Sequence, residues 1–222
     1  MQRFNTCTGV VPVQPMRIIT MKKNLLAVAV LCALFSGAAL AQQAEGPWMV
    51  RARAVHLDSA NKDSTGLGLS VNDKTMPEVD ITYFFNKNIA AELVLTVPQK
   101  HTISSGATGI GSLKHLPPTL LLQYHFDAPG FKPYVGAGLN YTRFSSVRFD
   151  PAVAAALNPS IDKNSFGAAL QVGVDIPLAK NLYLNVDLKK VFIKTDVYSF
   201  GAKAGTFKVD PVLVGVGLGW RF

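Results

Sequence analysis

The sequence predicts an all-β fold, an eight-stranded antiparallel transmembrane β-barrel with long extracellular loops. Three observations predict it: apolar residues alternate along many segments, helical periodicity is nearly lacking after residue 45, and short and long connections alternate. The last segment, residues 212–222, shows the alternation most clearly. One of its faces carries Val212, Val214, Val216, Leu218, Trp220 and Phe222. Because no second layer is available to cover such faces, we expect them to contact lipid.

The N-terminus has the features of a secretory signal peptide. Met21 is followed by two lysines, an apolar run over residues 25–35 and the small-residue site Ala39-Leu40-Ala41. The apolar run is shorter than the roughly 20 residues that a spanning helix needs. We therefore divide the chain into residues 1–41, a signal peptide with an extended or mis-assigned N-terminus, and residues 42–222, the outer-membrane barrel.

The composition of residues 42–222 argues against several classes of protein. The first 41 residues contain four basic residues, no acidic ones, and both cysteines, Cys7 and Cys32. The remaining chain carries 18 basic and 14 acidic residues, a net charge of +4, which is too small to indicate nucleic-acid binding. It has no thiol, and its length suits one domain.

Eight alternating segments have about the length of tilted membrane strands. They are residues 48–58, 76–86, 88–97, 117–126, 132–144, 165–178, 181–193 and 208–222. Short turns alternate with long connections, which occupy residues 59–75, 98–116, 145–164 and 194–207. An even strand number, with short turns on the side of both termini, is the arrangement of a bacterial outer-membrane barrel.

The phase of the charged residues distinguishes this barrel from a soluble, calycin-like one, which would place charge outside. Along the strands, charged residues share a face opposite the apolar one, so we expect them inside. Paired there, they would form a luminal charge network. Its predicted members are Arg51, Arg53, Glu78, Asp80, Glu92, Asp175, Asp187, Lys189 and Arg221.

No sequence motif indicates catalysis, a cofactor or a metal site. A site formed by His101 with Ser104 or Ser105 can be imagined, since some outer-membrane barrels modify lipid A. Rim and loop histidines are more often simply solvated, so we expect no enzyme, no cofactor and no metal.

Toward the long-loop end the inward positions become apolar, which suggests a channel open to the outside above a polar plug. The predicted channel-lining residues are Val55, Leu57, Met76, Thr96, Leu121, Val191, Ile193, Val209 and Leu213. Five prolines at the same end lack the N–H needed for strand pairing and suggest a lateral opening in the wall. They are Pro77, Pro98, Pro117, Pro118 and Pro211. Asp150-Pro151 predicts the start of a short helix at the channel mouth.

Several segments together resemble the OmpW family of small outer-membrane barrels, which includes the alkane-uptake protein AlkL. The segments are residues 48–53, 120–126, 132–141, 169–175, 194–197 and 209–222, ending Trp220-Arg221-Phe222. The resemblance implies a hydrophobic channel closed toward the periplasm, with lateral exit for small hydrophobic molecules. It also implies that Phe222 is an assembly signal. Lys189-Lys190 departs from the family, which usually has an Arg-Tyr type pair there.

From these observations we expect a bacterial outer-membrane channel for passive uptake of small hydrophobic molecules. The alternative is a structural or adhesive barrel, like OmpX, that acts through its extracellular loops. The expected partners are outer-membrane lipid and lipopolysaccharide, the barrel-assembly machinery and small hydrophobic solutes.

Overall fold

A computed structural model of the protein describes residues 46–222, and the signal peptide predicted for residues 1–41 lies outside them. The described chain is built almost wholly of strands. They are β1 (Trp48–Asp58), β2 (Lys62–Asp63), β3 (Leu69–Val71), β4 (Lys74–Phe84), β5 (Ile89–Thr96), β6 (Gln99–Ser105), β7 (Thr108–Leu116), β8 (Thr119–His125), β9 (Lys132–Phe149), β10 (Pro159–Ile161), β11 (Asn164–Ala179), β12 (Leu182–Val191), β13 (Lys194–Ser199), β14 (Ala202–Lys208) and β15 (Val212–Arg221). The helix α1 spans Pro151–Leu157. None of the helical structure described is long and apolar enough to cross a bilayer.

Eight of these strands form a closed antiparallel barrel, in the order β11-β12-β15-β1-β4-β5-β8-β9. Pairing between β9 and β11, from Asn164 opposite Arg143 to Asp175 opposite Lys132, closes it. The predicted fold is therefore confirmed. The boundaries differ mainly in β9, which continues five residues past the predicted end, and in β15, which begins at Val212 because Pro211 precedes it.

The long connections, predicted as loops, contain further strands. β6 and β7 form a hairpin that joins β3 and β9, while β10, β13, β14 and β2 form a separate four-stranded sheet. The hairpin alternates in the same way as the barrel, with Gln99, His101 and Ile103 buried and Lys100 and Thr102 exposed. The barrel wall thus continues beyond the membrane as a water-exposed extension.

The outer surface of the barrel is apolar, with aromatic residues near both ends. Leu139 and Phe166 are among the most exposed apolar side chains, at 71% and 74%. Trp48 contacts Tyr83 at the end that carries the C-terminus, and Tyr141 contacts Phe166 at the other, with ring centroids 4.7 and 4.8 Å apart. An apolar band between aromatic girdles is the surface that a bilayer requires. The terminal Phe222 pairs with Trp48 through two backbone hydrogen bonds.

Candidate channel above a charged floor

Charged side chains fill the half of the lumen nearest the short turns, and we call this cluster the charged floor. Its members are Arg51, Arg53, Glu78, Asp80, Glu92, Asp175, Asp187 and Lys189, all buried. They come from β1, β4, β5, β11 and β12. Every second side chain of these strands faces the lumen, and the charged residues occupy those inward positions.

Arg51 joins opposite sides of the barrel. Two of its guanidinium nitrogens donate to the two carboxylate oxygens of Asp175, at 3.1 and 2.6 Å, in a bidentate contact. A third donates to Asp80 and to Thr82, at 3.1 and 2.7 Å. Because Asp175 lies on β11 and Asp80 on β4, this single side chain ties the two walls together.

Arg53 lies one inward position further from the termini and contacts more carboxylates than Arg51. Its nitrogens lie 2.5 Å from Asp80, 2.8 Å from Glu92, 3.0 Å from Glu78 and 3.5 Å from Asp187. The ammonium group of Lys189 adds ion pairs to Glu78, at 2.6 Å, and to Asp187, at 2.9 Å. The cations are thus surrounded by carboxylates, as buried charges must be.

Neutral polar side chains complete the floor, where carboxylates outnumber cations. The Gln171 amide donates to Glu92 and to Asp187, at 2.8 and 2.7 Å, and Gln123 donates to Glu92 as well. The hydroxyl of Tyr134 donates to Asp187 at 3.0 Å. These hydrogen bonds satisfy the surplus carboxylate oxygens and leave a closely packed barrier across the lumen.

The strand β15 contributes space instead of charge. A Cβ atom on Gly219 would lie 3.1 Å from Cγ of Arg51, and one on Gly215 would lie 3.4 Å from Cδ of Arg53. The glycines of this strand therefore accommodate the arginine stems of the neighbouring β1.

Arg221, grouped with the charge network on sequence phase, lies at the end of the lumen. It is opposite Met49, one inward position closer to the terminus than Arg51. Its Nε donates to the carbonyl of Gly46 at 2.8 Å, and its guanidinium lies over the Phe84 ring, 3.7 Å from the centroid. These contacts place Arg221 below the charged floor.

Above the floor the inward side chains become apolar, and we call this cluster the apolar column. Eight of the nine channel-lining residues expected from sequence belong to it, each with 6% or less of its surface exposed. They are Val55, Leu57, Met76, Leu121, Val191, Ile193, Val209 and Leu213. The ninth, Thr96, has a buried hydroxyl without a hydrogen-bond partner in the described structure.

The apolar column continues into the extracellular extension. The alternation of inward and outward residues in the predicted barrel strands did not predict this part of the column. Its additional members come from the segments expected to be loops: Leu69, Val71, Ile103, Leu113, Val197 and Phe207. Alternation in these short strands was the signal that could have identified them. Because these side chains pack over the lumen, the column is covered and is not the open funnel that the sequence suggested.

A small apolar cavity remains at the mouth, with a volume of about 50 Å³. Val153 and Leu157 of α1 line one side of it, and Leu69, Ile103 and Phe207 line others. The helix begins where the sequence predicted, although the Asp150 side chain makes no capping hydrogen bond. No residue of α1 is buried, so the helix covers the mouth through few contacts.

The barrel wall is interrupted beside the apolar column. Pairing of β5 with β8 ends at Val94 opposite Thr119, and pairing resumes in the β6–β7 hairpin at Gln99 opposite His115. Pro98 lies on one side of this interval. Pro117 and Pro118 lie on the other, and none of the three can donate a ladder hydrogen bond. We call residues 97–98 and 117–118 the ladder break.

Side-chain amides satisfy carbonyl groups at the ladder break, although none of the following bonds joins one side of the break to the other. Asn140 donates to the carbonyls of Pro117 and Pro118, both at 3.2 Å, and Gln99 donates to the carbonyl of Val97 at 3.0 Å. Pro77 lies on β4 at the height of the ladder break. It is next to the last residue pair between β4 and β5, in which Glu78 is opposite Thr96.

Pro211, also assigned to the opening on sequence, lies elsewhere. Its carbonyl accepts from the backbone of Val191 at 3.1 Å, and it precedes β15, which pairs with β12 and β1. A proline at a strand end therefore does not by itself mark the break.

The family model of the OmpW family matches residues 44–222, which include every residue that the structure describes. The chain belongs to the OmpW family. Outer membrane protein W of Escherichia coli strain K12 is 36% identical over 213 residues, which cover 91% of this chain and all of that one. The family assignment and the barrel together make this an outer-membrane protein.

Two solved structures show the same OmpW-type barrel. OprG from Pseudomonas aeruginosa has a TM-score of 0.69 at 25% identity, covering 80% of this chain and 97% of that one. AlkL, solved in lipid bilayers, has a TM-score of 0.62 at 25% identity, covering 84% and 94%.

Two histidines of this OmpW-family chain are stacked inside the extracellular hairpin. The rings of His101 and His115 lie 4.5 Å apart, and both are buried. Burial lowers the pKa of His115 to about 3 and also lowers that of His101, so both rings are neutral at physiological pH. His101 shares a hydrogen bond with the carbonyl of Asn72, whereas the Ser105 hydroxyl donates to Leu67.

Proposed function

We propose that this protein is a channel for passive uptake of small hydrophobic molecules across the outer membrane, with exit sideways through the ladder break. The observation that carries the proposal is the continuous apolar column, which starts under α1 and ends on the charged floor. The proposed activity involves no covalent chemistry and no cofactor.

The charged floor accounts for the direction of the route. To pass straight through, an apolar molecule would have to displace ion pairs such as Arg51–Asp175 and Arg53–Glu92. Leaving either charge buried without its partner costs about 3–5 kcal/mol, and an apolar solute offers no compensating hydrogen bond. The floor therefore retains such a solute in the upper lumen.

The ladder break offers the alternative exit. Leu121 of the apolar column lies on β8, and Val94, buried in the same apolar cluster, lies on β5; the pairing of these two strands ends at the break. Few backbone hydrogen bonds must be broken to part the wall there, and the outward side chains beside the break, Leu95, Val97 and Leu120, are apolar and exposed. An apolar solute that passes this point enters the bilayer without crossing water.

Entry from outside requires displacement of α1 or of the side chains below it. The helix has no buried residue, and the Ser199 hydroxyl donates to its last carbonyl at 2.8 Å. Because α1 is held by few contacts, moving it exposes little apolar surface. We therefore expect a solute that fills the cavity beneath α1 to displace the helix.

Uptake of a radiolabelled alkane into liposomes containing the purified protein tests the proposal. Leu57→Asp and Leu213→Asp each place a charge in the apolar column and should lower the rate of uptake to near that of protein-free liposomes. Phe200→Asp, in an exposed turn between β13 and β14, is the matched control and should leave uptake unchanged. Uptake that persists in both column variants would refute the proposed route.

A further inference from the structure

Five basic side chains lie together on the outward face of the barrel where it leaves the membrane. They are Lys100 of β6, Lys114 of β7, Arg143 and Arg148 of β9, and Lys163 just before β11; we call them the basic patch. Three of them line a depression of about 250 Å³ together with Ser112 and Ser146, and no acidic residue lines it. Arg143 and Lys163 line the depression next to it.

Strand pairing forces these cations close together. Lys100 is directly opposite Lys114, and Arg148 is opposite Ser112, the next outward position of the same strand. Like charges at directly opposite positions destabilise a sheet. Within residues 46–222 the ion pairs are made by other cations, and none of the basic patch has one. A bound anion would remove this repulsion.

The basic patch begins where the apolar surface ends. Along the outward face of β9, the exposed Leu139 is followed by Tyr141 and then by Arg143, about 7 Å further along the strand at each step. This order places Arg143 at the level of the lipid headgroups, outside the apolar band. Lys100 lies only two residues beyond Pro98, so the patch also borders the ladder break.

We propose that the basic patch binds the phosphate groups of a phosphorylated glycolipid of the outer leaflet, of the lipid A type. Arginine presents a planar fork that binds phosphate oxygens in pairs, lysines add positive charge, and serine hydroxyls can donate to the same oxygens. The acyl chains of the lipid then lie along Leu139 and its apolar neighbours. This continuity with the apolar band favours a lipid phosphate over a free one, as for other basic clusters at membrane surfaces. The proposal is independent of solute uptake.

The second group of lysines on the extracellular side differs in its surroundings. Lys62, Lys194 and Lys208 lie at paired positions of β2, β13 and β14, but Asp63, Asp162 and Asp196 line the same depression. Acidic neighbours offset the positive charge there. These lysines therefore provide a control at the same end of the barrel.

Native mass spectrometry of the full-length protein, purified from outer membranes into a neutral detergent, tests the proposal. Binding would be titrated with diphosphoryl lipid A, with the same lipid dephosphorylated, and with inorganic phosphate. The patch variant is Lys114→Gln with Arg148→Gln. The matched controls, with the same change of charge, are Lys194→Gln with Lys208→Gln and, at the periplasmic turns, Lys87→Gln with Lys180→Gln.

We expect the patch variant to bind diphosphoryl lipid A at least about tenfold more weakly than the parent protein, since two charged hydrogen-bonding groups are lost. Both controls should bind as the parent does, and dephosphorylated lipid should bind weakly to all. Equal binding of the dephosphorylated lipid, or equal loss in the Lys194/Lys208 variant, would overturn the assignment of the site. Inorganic phosphate binding as tightly as the lipid would overturn the lipid as its ligand.

Discussion

Replacing Arg53 with methionine should destabilise the barrel more than any other single change in the charged floor. The substitution keeps an unbranched side chain of similar length while it removes the guanidinium. Glu78, Asp80 and Glu92, all buried, then lose their contacts with Arg53.

The magnitude follows from what is left behind. Removing one partner of a single buried ion pair typically costs about 3–5 kcal/mol of unfolding free energy, because the other charge remains buried. Arg53 contacts several carboxylates at once, but Lys189 and Gln171 still hold Glu78 and Glu92. We therefore expect a loss at the upper end of that range, about 5 kcal/mol.

Equilibrium urea unfolding in lipid vesicles, followed by the fluorescence of Trp48 and Trp220, measures this loss. The control is Lys203→Met, which removes an ion pair with Asp196 that is exposed to solvent and should leave stability nearly unchanged. Adding Glu92→Gln to Arg53→Met should recover part of the stability, because one carboxylate no longer needs a cation. A loss below about 1 kcal/mol for Arg53→Met would refute the account of the floor as an ion-paired barrier.

Three further predictions concern the hairpin, the packing of the floor and the wall. His115 stays neutral in the folded hairpin because its pKa is about 3, whereas in the unfolded chain it binds a proton near pH 6.5. The free energy of unfolding should therefore fall as the pH drops from about 6.5 toward 3. Urea unfolding at each pH measures this fall, which should be smaller in His115→Phe. Gly173→Ala places a Cβ 2.4 Å from the buried Tyr134 ring and should lower the free energy of unfolding by about 1–3 kcal/mol. Gly109→Ala, whose Cβ has its nearest neighbour at 3.7 Å, should leave that free energy unchanged. Equal effects of the two substitutions would contradict this packing. Pro98→Val with Pro117→Val restores two N–H donors at the ladder break and should slow alkane flux into liposomes. Pro211→Val, away from the break, should leave the flux unchanged. An unchanged flux in the double variant would count against lateral exit.

Much of the barrel could be predicted because a strand has a period of two. Once one face of a segment faces lipid, the other must face the lumen, so Arg51, Glu78 and Asp187 could be placed inside without coordinates. The same rule placed Leu57 and Leu213 above them. The strand number followed from counting the alternating segments, and the side of the short turns followed from that even number and the connection lengths.

The rest depended on how the long connections pair and on the height of each side chain in the lumen, and one sequence does not contain these directly. The long connections looked like loops because their strands are short and rich in glycine and serine, yet Ile103 and Phe207 cover the lumen. Pro98 and Pro117 were expected on neighbouring strands, and the pairing of β5 with β8 brings them together, whereas Pro211 precedes β15, which pairs with β12 and β1. Arg221 has an inward phase, but its height in the barrel directs it to Phe84 and Gly46.

The central claim is that an apolar solute occupies the apolar column and stops at the charged floor. Nuclear Overhauser contacts between octane and methyl-labelled protein in a bilayer test it most directly, because buried methyl groups lie on both sides of the floor. We predict contacts from octane to the methyl groups of Leu57, Leu121 and Leu213, and none to Met49, which is buried beneath Arg51. Contacts confined to lipid-facing methyl groups such as those of Leu139, or contacts that reach Met49, would contradict it.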